Sequence, residues 1–407
     1  MCNKHRVFAA VLALALLFCL FGCSREKPVG DWQGEGYRAT AFSDEGYYYL
    51  NFDGLLCFLD IKNGGNVILC SKVGCPHTDS RGIAQGCEAN LSRVSTPFNV
   101  MGFWNGYLYY IENSMYGETV FRRNADGTAK KEIAILGEKY IGKDSSVQAD
   151  GMIIADGYLY YSMVIQKVEE IEPGHSHSSP GRYALCRIDL ATGNEEEIAI
   201  EEGTIYLAAA KGDTIVYFSY DDPPSSLDPD FDESMLNYPV QMKQWDQKSG
   251  TVKVLMETRV YERGIFRELS GNRIRISKYD KELAQHIHTY YDLTTGQFSE
   301  PVSTAYSIQP INSNYELHYI EDHVKKIYDI KNQRYVDSEI STDAFTIGNR
   351  CQQGFIIVDR EYDTENLIYA RKEYYIRTSS LADGLQKKDL LLFYMRQQSY
   401  TPEEDTP

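Results

Sequence analysis

Short aromatic and aliphatic runs alternate with polar turns along this chain, and one such run is restated almost letter for letter. Gly106-Tyr107-Leu108-Tyr109-Tyr110 returns as Gly157-Tyr158-Leu159-Tyr160-Tyr161, and Gly46-Tyr47-Tyr48-Tyr49-Leu50 is a looser copy. A second run follows each copy and closes on an Asp and a Gly turn, most plainly Cys186-Arg187-Ile188-Asp189-Leu190-Ala191-Thr192-Gly193. Alternating runs bounded by such turns predict β-hairpins, and no long stretch carries a helical period. The Asp before each turn is expected to accept hydrogen bonds from turn amides, with the Gly supplying a positive φ.

The hairpin recurs at a period of tens of residues, which predicts a repeat architecture. Second-strand starts fall at Tyr47, Tyr107, Tyr158, Thr214, Arg273, Glu316 and Phe355, spaced 39 to 60 residues apart. That spacing suits four-stranded blades with loop insertions. The predicted fold is therefore all-β: a single β-propeller over 37–396, seven blades by this count, with six and eight as the neighbouring counts. A strand near Tyr37–Phe42 is expected to join the last blade and close the ring. Trp104, Trp245 and most of the 32 tyrosines are read as filling the wedges between blades rather than stacking on sugars.

The first residues have another pattern. Lys4 and Arg6 precede an unbroken apolar run, Val7 to Phe21, and Leu20-Phe21-Gly22-Cys23 matches a lipobox. Residues 1–22 are thus expected to be a lipoprotein signal peptide, with Cys23 the lipidated first residue of the mature chain. Residues 23–36 read as a flexible tether and 397–407 as a disordered acidic tail. The expected address is extracytoplasmic, lipid-anchored to a bacterial cell membrane through Cys23. Removing 1–22 leaves 39 basic residues against 58 acidic ones, a net charge of −19. Such acidity argues against nucleic acid as a partner and against charge-driven binding to anionic lipid.

The Gly-Tyr-Leu-Tyr-Tyr strands, the Asp-x-x-x-Gly turns and the lipobox together resemble the Tyr-rich propeller lipoproteins of Gram-positive anaerobes. Those are distantly similar to the propellers of low-density-lipoprotein receptors and of TolB-type periplasmic proteins. The resemblance implies an architecture and no ligand.

Candidate chemistry stands where the repeat is interrupted. Cys70, Cys75, His77 and Cys87 lie within one loop after the first unit. Three thiolates and an imidazole are a complete set for structural zinc. A disulfide among these cysteines suits an exported chain, and free thiols are the third reading. Cys57, Cys186 and Cys351 sit in apolar runs and read as buried small hydrophobes. His175 and His177 in the 169–180 insertion are a loose metal candidate, set against a solvated loop tip. The acidic stretch Asp228-Pro229-Asp230-Phe231-Asp232-Glu233 lacks the Gly and Glu of a calcium loop. His286 and His288 would share one face of a strand, as ordinary sheet residues or as a ligand pair.

No nucleophile elbow, phosphate-binding Gly-rich loop or metalloprotease signature is present. The sequence therefore predicts a non-catalytic binding or scaffolding module for an envelope protein, peptide or glycan. The second reading is an extracytoplasmic hydrolase or lyase acting on glycan with carboxylates at the channel mouth.

Overall fold

The computed structural model describes residues 33–399 apart from 35–39, 52, 80–81, 85, 92–100, 115–116, 143–144, 173–174, 221–236, 262–264, 281, 321–323, 343–345, 352 and 364–367. It is a seven-bladed β-propeller built from four-stranded antiparallel sheets, with almost no helix. Blade I spans 40–68, II 101–135, III 145–201, IV 204–261, V 265–304, VI 307–335 and VII 346–399. All seven sequence markers fall in the second strands of successive blades. A two-stranded ribbon, Thr78–Asp79 with Gly82–Ile83, lies between blades I and II. No helix among the described residues is long and apolar enough to cross a membrane.

The repeated phrase works through local chemistry. Asn105-Gly106 and Asp156-Gly157 carry paired positive φ angles of 48° and 80°, and of 50° and 92°. Both pairs have the twist that a tight hairpin requires. At the next turn of blade III, Asp189 Oδ1 accepts the amides of Ala191 and Thr192 at 2.8 and 3.0 Å. Asp60 and Asp292 do the same in blades I and V. Gly64, Gly193 and Gly296 complete these turns at φ 78°, 79° and 69°. Backbone donation, led by Asn63 and by Thr295 respectively, holds the Asp60 and Asp292 carboxyls below their ordinary range. These aspartates are scaffold.

The tyrosines are scaffold as well. Tyr110, Tyr160, Tyr161 and Tyr217 are fully buried, and Trp245 is buried with them. Tyr48 of blade I stacks on Phe103 of blade II at 5.4 Å. Tyr160 of blade III donates its hydroxyl to the Gly212 carbonyl of blade IV at 2.7 Å. Such side chains bury large area while their hydroxyls keep a partner.

The ring closes without strand exchange. Thr40–Phe42 pairs with Tyr47–Tyr49 inside blade I, which corrects the expectation that it joins the last blade. Closure comes from Tyr47 and Tyr49 meeting Phe393 edge-on at 5.7 and 5.0 Å, and from Asn66 donating to the Phe393 carbonyl at 2.8 Å. The first strands of blades I to VI touch in succession and line the axis. Gln33–Gly34 pairs with Ala209–Ala210 on the inner edge of blade IV, so two residues of the expected tether lie in the channel. Residues 1–22 and Cys23, the expected lipidation residue, lie outside the described residues, as does most of the 23–36 and 397–407 segments.

Hydrophobic clusters fill six of the seven seams between blades: I–II and II–III in one, then III–IV, IV–V, VI–VII and VII–I. Among the described residues the V–VI seam has no such cluster.

Candidate functional site

Charged and polar side chains fill the V–VI seam instead. Glu268 on the first strand of blade V accepts a hydrogen bond from Arg275 Nη2 on the next strand. It also accepts one at 2.9 Å from Arg350 Nη2, on the first strand of blade VII. That second bond crosses over blade VI, so it lies at the channel. In the seam, Glu316 of blade VI accepts the Tyr290 hydroxyl of blade V at 2.8 Å and faces His318 Nε2 at 3.2 Å. The His318 ring is enclosed by Tyr306, Tyr328 and Tyr335 at 4.8 to 5.7 Å. Tyr319 donates to Gln309 at 2.8 Å.

Arg275 is the hub. It is 2% exposed, and its Nε and Nη1 have no hydrogen-bond partner among the described residues. Its charge reaches Glu268, Glu316, Tyr290, His286 and His288. Burial pushes the Glu268 carboxyl up, but the charges of Arg350 and Arg275 outweigh it and hold the group below its ordinary range. Glu316 is likewise raised by burial and brought below its ordinary range by the His318 and Tyr290 hydrogen bonds. Both carboxylates are therefore ionised at neutral pH. A buried charge that is only partly compensated is expensive, and functional sites are where such an expense is kept.

His288, fully buried, completes the seam. Its Nε2 meets Thr304 Oγ1 at 2.9 Å, and the Thr304 hydroxyl itself donates to the Tyr306 carbonyl. Nε2 must then carry the ring proton, leaving the Nδ1 lone pair without a donor among the described residues. Burial, with Arg275 and His286 nearby, pushes its pKa down to about 4, so the ring is neutral. His286 stacks on it at 6.1 Å on the same strand face.

A second constellation lies between blades I and II. The ligand atoms of Cys70, Cys75, His77 and Cys87 all lie within 4.8 Å of one another, and the three cysteines are free. Cys87 Sγ and His77 Nδ1 are 3.7 Å apart. This is a donor set that could hold a metal ion. Backbone amides of Lys72, Glu88 and Ala89 point at Cys70. Cys57 and Cys186 are buried as expected, their thiols pushed up by burial to about 11 and about 12, and Cys351 is half-buried. His177 pairs with Glu169, and His175 with Glu172, across the blade III hairpin. The side chains at 167–180 lie outside the described residues, as does the acidic stretch within 221–236.

Reading the sequence for interruptions found the cysteine loop and missed the seam. A signal was present. In register from the turn, blade V has Arg275 where blades II and III have Tyr109 and Tyr160, and blade VI has His318 where they have Tyr110 and Tyr161.

No protein-family model matches this chain, and no curated protein matches it. Solved structures do resemble it. One is an oligogalacturonate lyase in complex with manganese, at 10% identity over 80% of this chain and 86% of that one, with a TM-score of 0.49. Another is an oligogalacturonate lyase from Vibrio parahaemolyticus, at 12% identity over 82% and 88%, with a TM-score of 0.44. A third is an acylaminoacyl peptidase from Pyrococcus horikoshii, at 11% identity; the match covers 84% of this chain and 51% of that one, with a TM-score of 0.45. What these share with the chain is the propeller fold. The expectation of a non-catalytic binding or scaffolding module is corrected by this chain's own V–VI seam, which brings the ionised Glu268 carboxylate and two guanidinium groups to the channel.

Proposed function

We propose that the chain is an extracytoplasmic lyase acting on acidic glycan, with its site where the V–VI seam opens on the channel. The observation that carries this reading is Glu268 held between Arg275 and Arg350 at the inner ring. Hydrolysis by a carboxylate pair needs one carboxyl protonated at working pH. Both Glu268 and Glu316 lie below the ordinary carboxylate range, so neither is that acid. Elimination needs a base and a cation instead. The base removes the proton on the carbon next to a uronate carboxylate. A carbon–carbon double bond then forms, the glycosidic carbon–oxygen bond breaks, and the departing oxygen takes up a proton. Cations beside the uronate carboxylate stabilise the charge that builds there.

In this scheme an entering uronate carboxylate takes over the Arg350 guanidinium. Glu268, relieved of one cation, becomes the stronger base. Arg275 is a positioning residue, keeping Glu268 aimed at the channel. Attachment through Cys23 belongs to the same proposal and rests on the lipobox Leu20-Phe21-Gly22-Cys23.

The test incubates the purified chain with polyuronate and with neutral oligosaccharides. Elimination yields a conjugated unsaturated uronate that absorbs in the ultraviolet, and Glu268→Gln should lower its rate by about 100-fold or more. New reducing ends without that absorbance would mean hydrolysis. No product from any acidic glycan, or full activity in Glu268→Gln, would overturn the proposal.

A further inference from the structure

We propose that Cys70, Cys75, His77 and Cys87 form a four-coordinate site for a soft divalent cation of the zinc class. Its role is to clamp blade I to blade II, and it takes no part in chemistry at the V–VI seam. In a tetrahedral site with zinc–sulfur bonds of about 2.3 Å, sulfur atoms sit about 3.8 Å apart. Four ligand atoms already within 4.8 Å of one another are close to that arrangement. A disulfide would use two sulfurs and leave the third cysteine and the imidazole without a purpose.

The backbone supplies an independent argument. Cys75 and Cys87 each close a turn by donating their amide to the residue three earlier, Lys72 at 3.2 Å and Ala84 at 3.0 Å. Each follows a left-handed glycine, Gly74 at φ 70° and Gly86 at φ 73°. The loop thus presents two like Gly-Cys turns, facing each other across one point. His77, between them, is itself left-handed at φ 59°, a costly conformation for a side-chain-bearing residue. In this loop that conformation goes with Nδ1 lying beside Cys87 Sγ.

The site's surroundings say what the ion would do. Ala84, Cys87, Ala89 and Leu91 are buried in the cluster that fills the I–II and II–III seams. Leu56 of blade I donates to the Ala89 carbonyl at 2.8 Å, and Leu91 donates to Gly54 at 2.9 Å. From blade II, Arg123 donates to the Glu88 carbonyl and, through Nε, to the Tyr110 hydroxyl at 2.7 Å. Four protein ligands leave no open position for substrate. Three thiolates select zinc over hard cations such as manganese.

Cobalt titration of the purified, reduced chain tests this. One equivalent of Co2+ should produce a thiolate-to-cobalt charge-transfer band with the strong visible absorption of four-coordinate cobalt. Zn2+ should abolish both, and Mn2+ at the same concentration should leave them unchanged. Cys87→Ser should lower Co2+ affinity by at least about tenfold, whereas His77→Cys should retain binding. Because Cys87→Ser bears on a buried seam, the spectrum of the unsubstituted chain decides. A reduced, folded chain that gives no charge-transfer band with Co2+ overturns the proposal. Zinc loading should raise thermal stability and leave the initial rate on uronate substrate unchanged in zinc-free and zinc-loaded chains alike.

Discussion

His288 makes stability depend on pH in a way that can be worked from the structure. The ring is fully buried, bonded to Thr304 through Nε2, and faced by Arg275, His286 and Glu316. Burial, reinforced by Arg275 and His286, brings its pKa from 6.5 to about 4. Between those values the unfolded chain binds a proton that the folded chain refuses. Stability therefore rises with pH through this window and falls on acidification. The stabilisation from keeping the ring neutral is complete above about pH 6.5. Linkage gives a loss of about 2 kcal/mol by pH 5, approaching about 3 kcal/mol at the lower pKa. His288→Gln keeps an amide that can bond Thr304 and removes the titration. Urea midpoints of both chains at intervals from pH 7.5 to pH 4.5 isolate the effect, because the other histidines cancel in the difference. The variant should be less stable than the parent at pH 7.5 and lose that handicap progressively on acidification. Parallel curves with a constant gap would refute the burial and charge arrangement drawn for this seam.

Three further perturbations probe the same account. Arg275→Met leaves Glu268 without one of its two cations and should cost about 3–5 kcal/mol by denaturant melts. Adding Glu268→Gln to it should recover part of that loss, and a cost below about 1 kcal/mol would put the pair among surface ion pairs. Tyr160→Phe removes the hydroxyl bond to Gly212 between blades III and IV and should cost about 1 kcal/mol by the same melts. Gly193→Ala places a Cβ 2.7 Å from the Ile133 carbonyl oxygen at φ 79°, so a loss of about 2 kcal/mol or more in thermal or urea unfolding is expected.

The architecture was legible because its signals are local. A glycine turn, alternating aromatics and an Asp that accepts the amides two and three residues on all act within one hairpin, so Tyr47, Tyr107 and Tyr158 mark strands without reference to the rest of the ring. The cysteine–histidine cluster was legible for the same reason, its four donors lying on one loop. The V–VI seam was not. Glu268 and Arg350 are 82 residues apart and meet only because the ring turns the inner strands of blades V and VII toward one channel. Glu316 and Tyr290 are partners from different sheets. Read one blade at a time, Arg275 and His318 look like polar lapses in an aromatic pattern; read around the ring, they lie on opposite faces of adjacent blades and line one seam. Sequence periodicity can show that a phrase is broken. It takes the ring to show that two breaks face each other.

The central claim, that the seam is a site of elimination at the channel, has a direct test in the masses of the products. An oligouronate of defined length is incubated with the purified chain, and the fragments are weighed alongside those from Glu268→Gln. The account predicts fragment pairs whose masses sum to that of the substrate, with one member unsaturated, and none from the variant. Pairs that sum to the substrate plus one water, or an intact substrate in the parent reaction, would contradict it.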